Sequence, residues 1–376
     1  MKVLIVSGIW PPDVGGPASH APALAAFLHE RGHAVEVVTT AAAEPDRRPF
    51  PVRWVSRSLP RGIRHARAAA LVTGAARRAD VVYTTGMFGR SALGARLARR
   101  PYIVKLTADP AFERSVRRGL IDDDLEAFQH LRPGFRIRAL KAARDREVRG
   151  AAHVFCPSAY LRELAIRWGV PAARVSVLPN PTPLLPPLAE PEAVRRELGL
   201  NGRVLVFAGR LTAQKALGVA LEALALTEDV SLVVVGDGPD RAKLERHAAE
   251  LHLGSRALFL GGQPRQRVLD LFHAGDAALL SSTWENFPHA VVEALAVGTP
   301  VIATRVGGVA EIVEEGANGL LAEPGDAAGL AARIDEFFAD DALRQRLAAA
   351  AVPSVEHLAP DRIFGELERV LLGAIR

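Results

Sequence analysis

Residues 277–311 read AALLSSTWENFPHAVVEALAVGTPVIATRVGGVAE, and the fold is read outward from them. Ala277, Ala278, Leu279 and Leu280 form an apolar run of the length and composition of a buried parallel strand. The pattern breaks at Ser281–Trp284 and presents Glu285-Asn286-Phe287-Pro288-His289 before a helix expected to begin near Ala290. Pro288 suits a first helical position, because its missing N–H is one that the helix could not use. Glu293 is expected in the first turn of that helix, and a second short strand, Val301–Ala303, leads into Gly307-Gly308. In open α/β sheets, ligands gather outside the carboxyl ends of the strands. Two neighbouring strand ends here carry carboxylates, glycines and free helix-terminal N–H groups, which suits a polyhydroxylated or phosphorylated ligand.

Glu285 and Glu293 are separated by seven residues. Taken alone, the pair could be two solvated carboxylates near a helix N-terminus. A carboxylate that accepts two hydroxyl hydrogen bonds is also a common grip on a sugar or ribose diol. The stretch resembles the Glu-x7-Glu signature of the retaining glycosyltransferases of family four, which have the GT-B fold. The resemblance implies that Glu285 and the loop Asn286-Phe287-Pro288-His289 hold the donor sugar. It gives the ribose of the nucleotide to Glu293.

A chain of 376 residues is long for one core and suits two α/β domains. No run of eighteen or more apolar residues occurs, so a membrane-spanning helix is not expected. Met1–Val6 reads as a strand and lacks a signal peptide's cleavage pattern. The single cysteine, Cys156, lies in the apolar run Ala152–Cys156 and can form neither an internal disulfide nor a zinc cage. A cytoplasmic protein is the expectation. The net charge of +5 hides an asymmetry. Residues 1–178 hold 29 Lys and Arg against 15 Asp and Glu, whereas the remainder hold 18 against 27. A basic first half suggests an anionic partner or reversible contact with an anionic membrane surface. The arginines form no nucleic-acid-binding motif, and no nucleic-acid partner is expected.

The first half alternates strands and helices. Strands are expected at Val3–Val6, Val35–Thr39, Val52–Val55, Val81–Thr84, Tyr102–Leu106, His153–Cys156 and Val175–Leu178, which implies a parallel sheet. Gly15 and Gly16 precede the first helix and allow close approach of backbone to a ligand. In the resembling family they face the donor diphosphate and the acceptor. Asp109, at the end of Tyr102–Pro110, is expected at the mouth of the first sheet, as a turn residue or an acceptor-side catalytic group. Many relatives carry a histidine there. Asp122-Asp123-Asp124 reads as a solvated helix cap. Arg132–Lys141 mixes cations with apolar residues, as an interfacial helix can, or as a helix packed on the sheet with its arginines solvated. The proline-rich run after Leu178 is a semi-rigid connector.

The second half opens with a helix over 191–198 and a strand Val204–Ala208, followed by Gly209-Arg210-Leu211-Thr212-Ala213-Gln214-Lys215. Two cations five residues apart at a strand end can neutralise a diphosphate. The family motif has Gly-Arg-Leu and a Lys at the same interval, though usually within Glu-Lys-Gly where this chain has Gln214-Lys215-Ala216. Strand Leu232–Val235 leads into Gly236-Asp237-Gly238-Pro239, strand Ala257–Leu260 into Gly261-Gly262, and Asn318-Gly319 reads as a turn.

The resemblance therefore implies a GT-B architecture of two facing Rossmann-like domains with a central cleft. Residues 1–178 would form the acceptor-side domain, 179–190 the linker and 191–359 the nucleotide-sugar domain, with a helix over 360–376 returning to the first domain. The implied reaction moves a sugar from a nucleoside diphosphate sugar, a UDP-sugar slightly favoured, to an acceptor hydroxyl with retention. A small polar or saccharide acceptor is favoured over a lipid-linked one. Arg210, Lys215, Glu285 and Asp109 are the expected catalytic residues, with Gly15, Gly16, Gly209, Gly236 and the 285–293 residues binding the donor. No cofactor is expected and no metal, since the Asp and His residues show no metal-ligand spacing. A nucleotide-sugar 2-epimerase of the same fold, or a non-catalytic sugar-nucleotide-binding protein, are the alternatives.

Overall fold

A computed structural model of the chain describes residues 1–13, 16–121, 125–131 and 134–375. It divides into two compact units, Met1–Pro181 with Pro360–Arg376, and Thr182–Ala359.

The first unit holds seven strands: β1 (Lys2–Ser7), β2 (Ala34–Ala41), β3 (Val52–Ser56), β4 (Val81–Thr84), β5 (Tyr102–Lys105), β6 (His153–Cys156) and β7 (Val175–Val177). Their order in the sheet is β3-β2-β1-β4-β5-β6-β7, and every pairing is parallel. The apolar runs read from the sequence are continuous because helices cover both faces. Leu4, Ile5, Val6, Val81, Val82, Ile103 and Val104 are all buried. Cys156 lies in this core. The closing helix, Pro360–Ala374, belongs to this unit. Its Phe364 ring meets Phe27 and His20, and its Glu368 accepts from Arg31 Nε at 2.8 Å and pairs with His33 Nε2 at 2.6 Å. Lys105, at the end of β5, is buried and donates to the carbonyls of Leu178 and Pro179.

The second unit holds β8 (Arg203–Ala208), β9 (Val230–Val235), β10 (Ala257–Gly261), β11 (Ala277–Leu280), β12 (Val301–Thr304) and β13 (Gly319–Ala322), in the parallel order β10-β9-β8-β11-β12-β13. Leu205, Phe207, Leu232, Val234, Ala277, Leu279 and Ile302 pack with the helices Leu217–Leu226 and Ala327–Ala339 in one core.

Two sequence expectations change. Asn318-Gly319 is not an isolated turn, because Gly319 opens the edge strand β13. A Cβ at Gly319 would lie 2.2 Å from the carbonyl oxygen of Val301, so only glycine lets β13 lie this close to β12. The helix expected near Ala290 begins at His289, with Pro288 as its N-cap, so Glu293 falls beyond the first turn. Of the two readings of Arg132–Lys141, its described part fits a helix packed on its own unit. Phe135–Arg149 buries Ile137, Leu140, Arg144 and Val148 against the unit, although Phe135 itself is exposed. Asp122–Asp124 and Arg132-Pro133 lie outside the described residues.

Candidate functional site

In each sheet the strand order reverses once, between β1 and β4 and between β8 and β11. A crevice opens at such a point because neighbouring loops leave in opposite directions. In the second unit the two loops at the reversal are those carrying Gly209–Lys215 and Ser281–Pro288.

Backbone contacts allowed only by glycine hold these loops in place. Gly209 N–H donates to Val235 at 2.9 Å, and Gly236 has φ +136°. A Cβ on Gly236 would sit 1.9 Å from the carbonyl oxygen of Gly209, so the loop after β9 lies directly on the loop after β8. Gly307, with φ +46°, makes the same kind of approach to the carbonyl oxygen of Glu285, and Gly308 N–H donates to that oxygen at 3.0 Å. The loops after β8, β9, β11 and β12 thus converge.

Lys215 and Glu285, seventy positions apart, form an ion pair through Lys215 Nζ and Glu285 Oε1. Ser282 Oγ donates to the same oxygen at 2.7 Å, and Thr304 Oγ1 holds the Ser282 carbonyl at 2.6 Å. Ser281 Oγ donates to the Lys215 carbonyl at 2.9 Å, Thr283 N–H to the Gln214 carbonyl at 2.9 Å, and Gln214 Nε2 to the Trp284 carbonyl at 3.0 Å. Glu285, Asn286, Phe287 and Pro288 are buried, and His289 is half-buried. Both side-chain contacts of Glu285 fall on Oε1. Oε2 has no partner among the described residues and can accept a ligand hydroxyl. Arg210 differs from Lys215: it is exposed, and its guanidinium has no hydrogen-bond or ion-pair partner among the described residues. Glu293 is half-buried and accepts from Arg265 Nη2 at 2.7 Å. Burial pushes its carboxyl above the ordinary range, and Arg265 opposes that rise.

The structure therefore brings Gly209, Arg210, Lys215, Gly236, Glu285 and the start of the helix His289–Ala296 to one sheet edge. Sequence reading did not single out Ser282, Thr304, Gln214 or Arg265, which fix these groups. Thr304, Gln214 and Arg265 have partners distant in sequence, whereas Ser282 reaches Glu285 only three positions on. Their common signal was position at or just beyond a strand end or at a helix start.

In the first unit Gly16 opens the helix Gly16–Glu30, and Gly15 lies outside the described residues. Asp109 is not an acceptor-side group at an open mouth. It is fully buried, caps the helix Pro110–Val116 by accepting from Ala111 N–H at 2.8 Å, and accepts from Arg144 Nη1 at 2.7 Å and Gln129 Nε2 at 3.0 Å. Arg144 in turn stacks over the Trp168 ring at 4.0 Å. Asp109 is saturated, and its role is to hold the fold.

Two parallel, doubly wound units with a glycine-lined, cation-bearing strand edge are the features of a GT-B glycosyltransferase. Residues 191–352 match the family "Glycosyl transferases group 1" and residues 15–181 the "Glycosyl transferase 4-like domain", and the chain belongs to this family of glycosyltransferases. Among curated relatives, it is 32% identical to N-acetyl-alpha-D-glucosaminyl L-malate synthase of Bacillus anthracis over 49% of this chain and 49% of that protein. It is 37% identical to D-inositol 3-phosphate glycosyltransferase of Mycolicibacterium vanbaalenii over 42% of this chain and 38% of that one. The matched stretch thus spans about half or less of the length of these relatives. The fold is also that of Anabaena HepE, solved in complex with UDP-glucose, at TM-score 0.82 and 22% identity over 99% of this chain and 100% of that one.

Proposed function

We propose that the protein transfers a glycosyl group, with retention, from a nucleoside diphosphate sugar to an acceptor hydroxyl. The observation that carries this reading is the pairing of a free oxygen, Glu285 Oε2, with two cations of different freedom at one strand edge. The bond between the anomeric carbon and the diphosphate breaks as that carbon bonds to the acceptor oxygen, and the acceptor proton passes to a phosphate oxygen on the same face. Charge builds on the departing diphosphate. Arg210, unpaired and exposed, can meet it with a bidentate fork, and Lys215 can swing from Glu285 to join it. The N-terminus of the helix His289–Ala296 lies at the same edge, where its dipole favours negative charge. Glu285 would hold donor-sugar hydroxyls and Glu293 the ribose.

This chemistry asks for no metal, because the neutralising charge is guanidinium and ammonium. A UDP-sugar is the favoured donor, in line with the UDP-glucose complex of HepE. A cytoplasmic site of action is part of the reading and rests on the lone, buried thiol of Cys156. The test is a thermal-shift and calorimetric screen of UDP-, GDP- and ADP-sugars against the wild type and Arg210→Ala, followed by NMR of the anomeric product. One nucleotide series should raise the melting temperature of the wild type, and an inverted product would refute retention.

A further inference from the structure

The carboxyl edge of the first unit's sheet carries an electrostatic arrangement that the fold alone does not explain. The helices Arg61–Ala76 and Phe88–Ala98 both begin there, after β3 and β4. Neither has a side-chain cap, and neither has an acidic residue in its first turn. Their positive ends instead bear cations: Arg61, Arg64 and His65 on one helix, and Arg90 on the other. This is the reverse of what a helix dipole favours. The two ends meet where Arg90 Nη1 donates to His65 Nδ1.

The guanidinium groups of Arg61, Arg64 and Arg90 act on His65, and those of Arg64 and Arg114 on Arg90; the carboxylates nearby are Glu147, which lies against Gly89 in the first turn of the second helix, and Asp13, paired with Arg57 at 3.2 Å. Glu147 is already engaged by Arg114 Nη2 at 3.0 Å. Arg64 Nη1 donates to the Arg57 carbonyl at 2.9 Å, and Arg57 Nη2 to the Gly8 carbonyl at 3.1 Å, which ties the cluster to the loop after β1. Arg90 Nε is buried and has no acceptor. Several crowded like charges cost stability, and one bound anion would relieve that cost. His65 is exposed, so the corner is open to solvent.

We infer that Arg90, Arg64 and His65 form an oxyanion site, and that the acceptor of this enzyme carries a phosphate or carboxylate which seats there. The assignment of the anion to the acceptor rests on the proposed glycosyl transfer; the anion site itself does not. Arg90 and Arg64 would bind the oxyanion through their Nη groups, and the uncapped N–H groups of the two helix ends would surround it. His65 supplies a pH signature. Burial, with Arg90, Arg64 and Arg61 beside it, holds its imidazole below the ordinary value. A bound anion removes that disadvantage, so binding takes up a proton and strengthens as pH falls through the histidine range.

Sulfate, which does not titrate in this range, is the probe. Calorimetry on the full-length protein should find sulfate binding that Arg90→Gln weakens at least tenfold. Affinity should rise about threefold or more from pH 7.5 to 5.5 in the wild type and stay flat in His65→Ala. In sulfate-free buffer Arg90→Gln should melt at or above the wild-type temperature, since it relieves repulsion; a purely structural arginine would give the opposite. Sulfate that binds the wild type and Arg90→Gln alike, or not at all, overturns the site, and His65→Ala decides the matter if Arg90→Gln is unstable. Acceptor pairs, glucose against glucose 6-phosphate and glycerol against glycerate, are then compared by nucleotide release. Preference for the neutral members would refute the assignment to the acceptor. A wild type that binds sulfate but no nucleotide sugar would refute the glycosyl transfer and leave the anion site standing.

Discussion

The proposed function makes Arg210 and Lys215 two cations of one diphosphate clamp, yet their surroundings predict that removing them has different effects. Arg210 is exposed and unpaired among the described residues, so Arg210→Ala removes nothing that the ligand-free fold uses. Its stability change should stay within about 0.5 kcal/mol, while turnover falls about 10²–10³-fold from loss of a charge-stabilising donor. Lys215 is 17% exposed and Glu285 8%, and they share a close ion pair. Lys215→Ala leaves Glu285 buried with Ser282 Oγ as the remaining side-chain donor on Oε1. Breaking one partner of a buried pair costs about 3–5 kcal/mol, because the remaining charge is uncompensated. Partial exposure of Lys215 lets water enter, so the lower end of that range is expected here. The double variant Lys215→Ala/Glu285→Gln should recover much of the loss by removing the stranded charge. Urea unfolding of these four proteins and of Glu285→Gln, followed through Trp284 fluorescence with the other tryptophans replaced by phenylalanine, measures this cycle. Equal stability of Arg210→Ala and Lys215→Ala, or no recovery in the double variant, would refute the reasoning.

Gly307→Ala should destabilise the second unit and abolish donor binding, because its Cβ would lie 1.9 Å from the Glu285 carbonyl oxygen at a φ of +46°; calorimetric titration with a UDP-sugar checks it. Turnover should survive thorough chelation, and a loss reversed by magnesium or manganese would count against the all-cation clamp. Lys105 gives a pH prediction. Burial lowers its amine to about 7, with Cys156 and Glu366 opposing the fall. The unfolded chain therefore binds one more proton than the fold between about pH 7 and the ordinary lysine value of about 10.4, and wild-type stability gains up to about 1.4 kcal/mol per pH unit there. Lys105→Met should lose that slope, as equilibrium unfolding at pH 7, 8 and 9 will reveal.

The fold was legible because each strand of a buried parallel sheet is a local apolar run, and many of the runs here, those of β1, β8, β9, β10 and β11 among them, end in glycine or serine. The donor edge was legible for the same reason, since Gly209–Lys215 and Glu285–Glu293 are short contiguous patterns. Position within an element was less so: the helix begins at His289 rather than near Ala290, a one-residue difference that moves Glu293 out of the first turn. What sequence could not give is which charge meets which. Asp109 looked available because it follows a strand end at the mouth of the first sheet, but Arg144 engages it from 35 positions away. Lys215 looked like a free clamp cation, and its partner is 70 positions away. Arginines in the first turns of two helices were indistinguishable from the other cations of the basic first half until the fold set those turns against each other. A carboxylate or guanidinium becomes reactive, inert or in need of a ligand only through such distant pairings. The free oxygen of Glu285, the unpaired fork of Arg210 and the crowded corner at Arg90 are accordingly the groups whose chemistry the folded chain leaves unfinished, and a ligand must complete them.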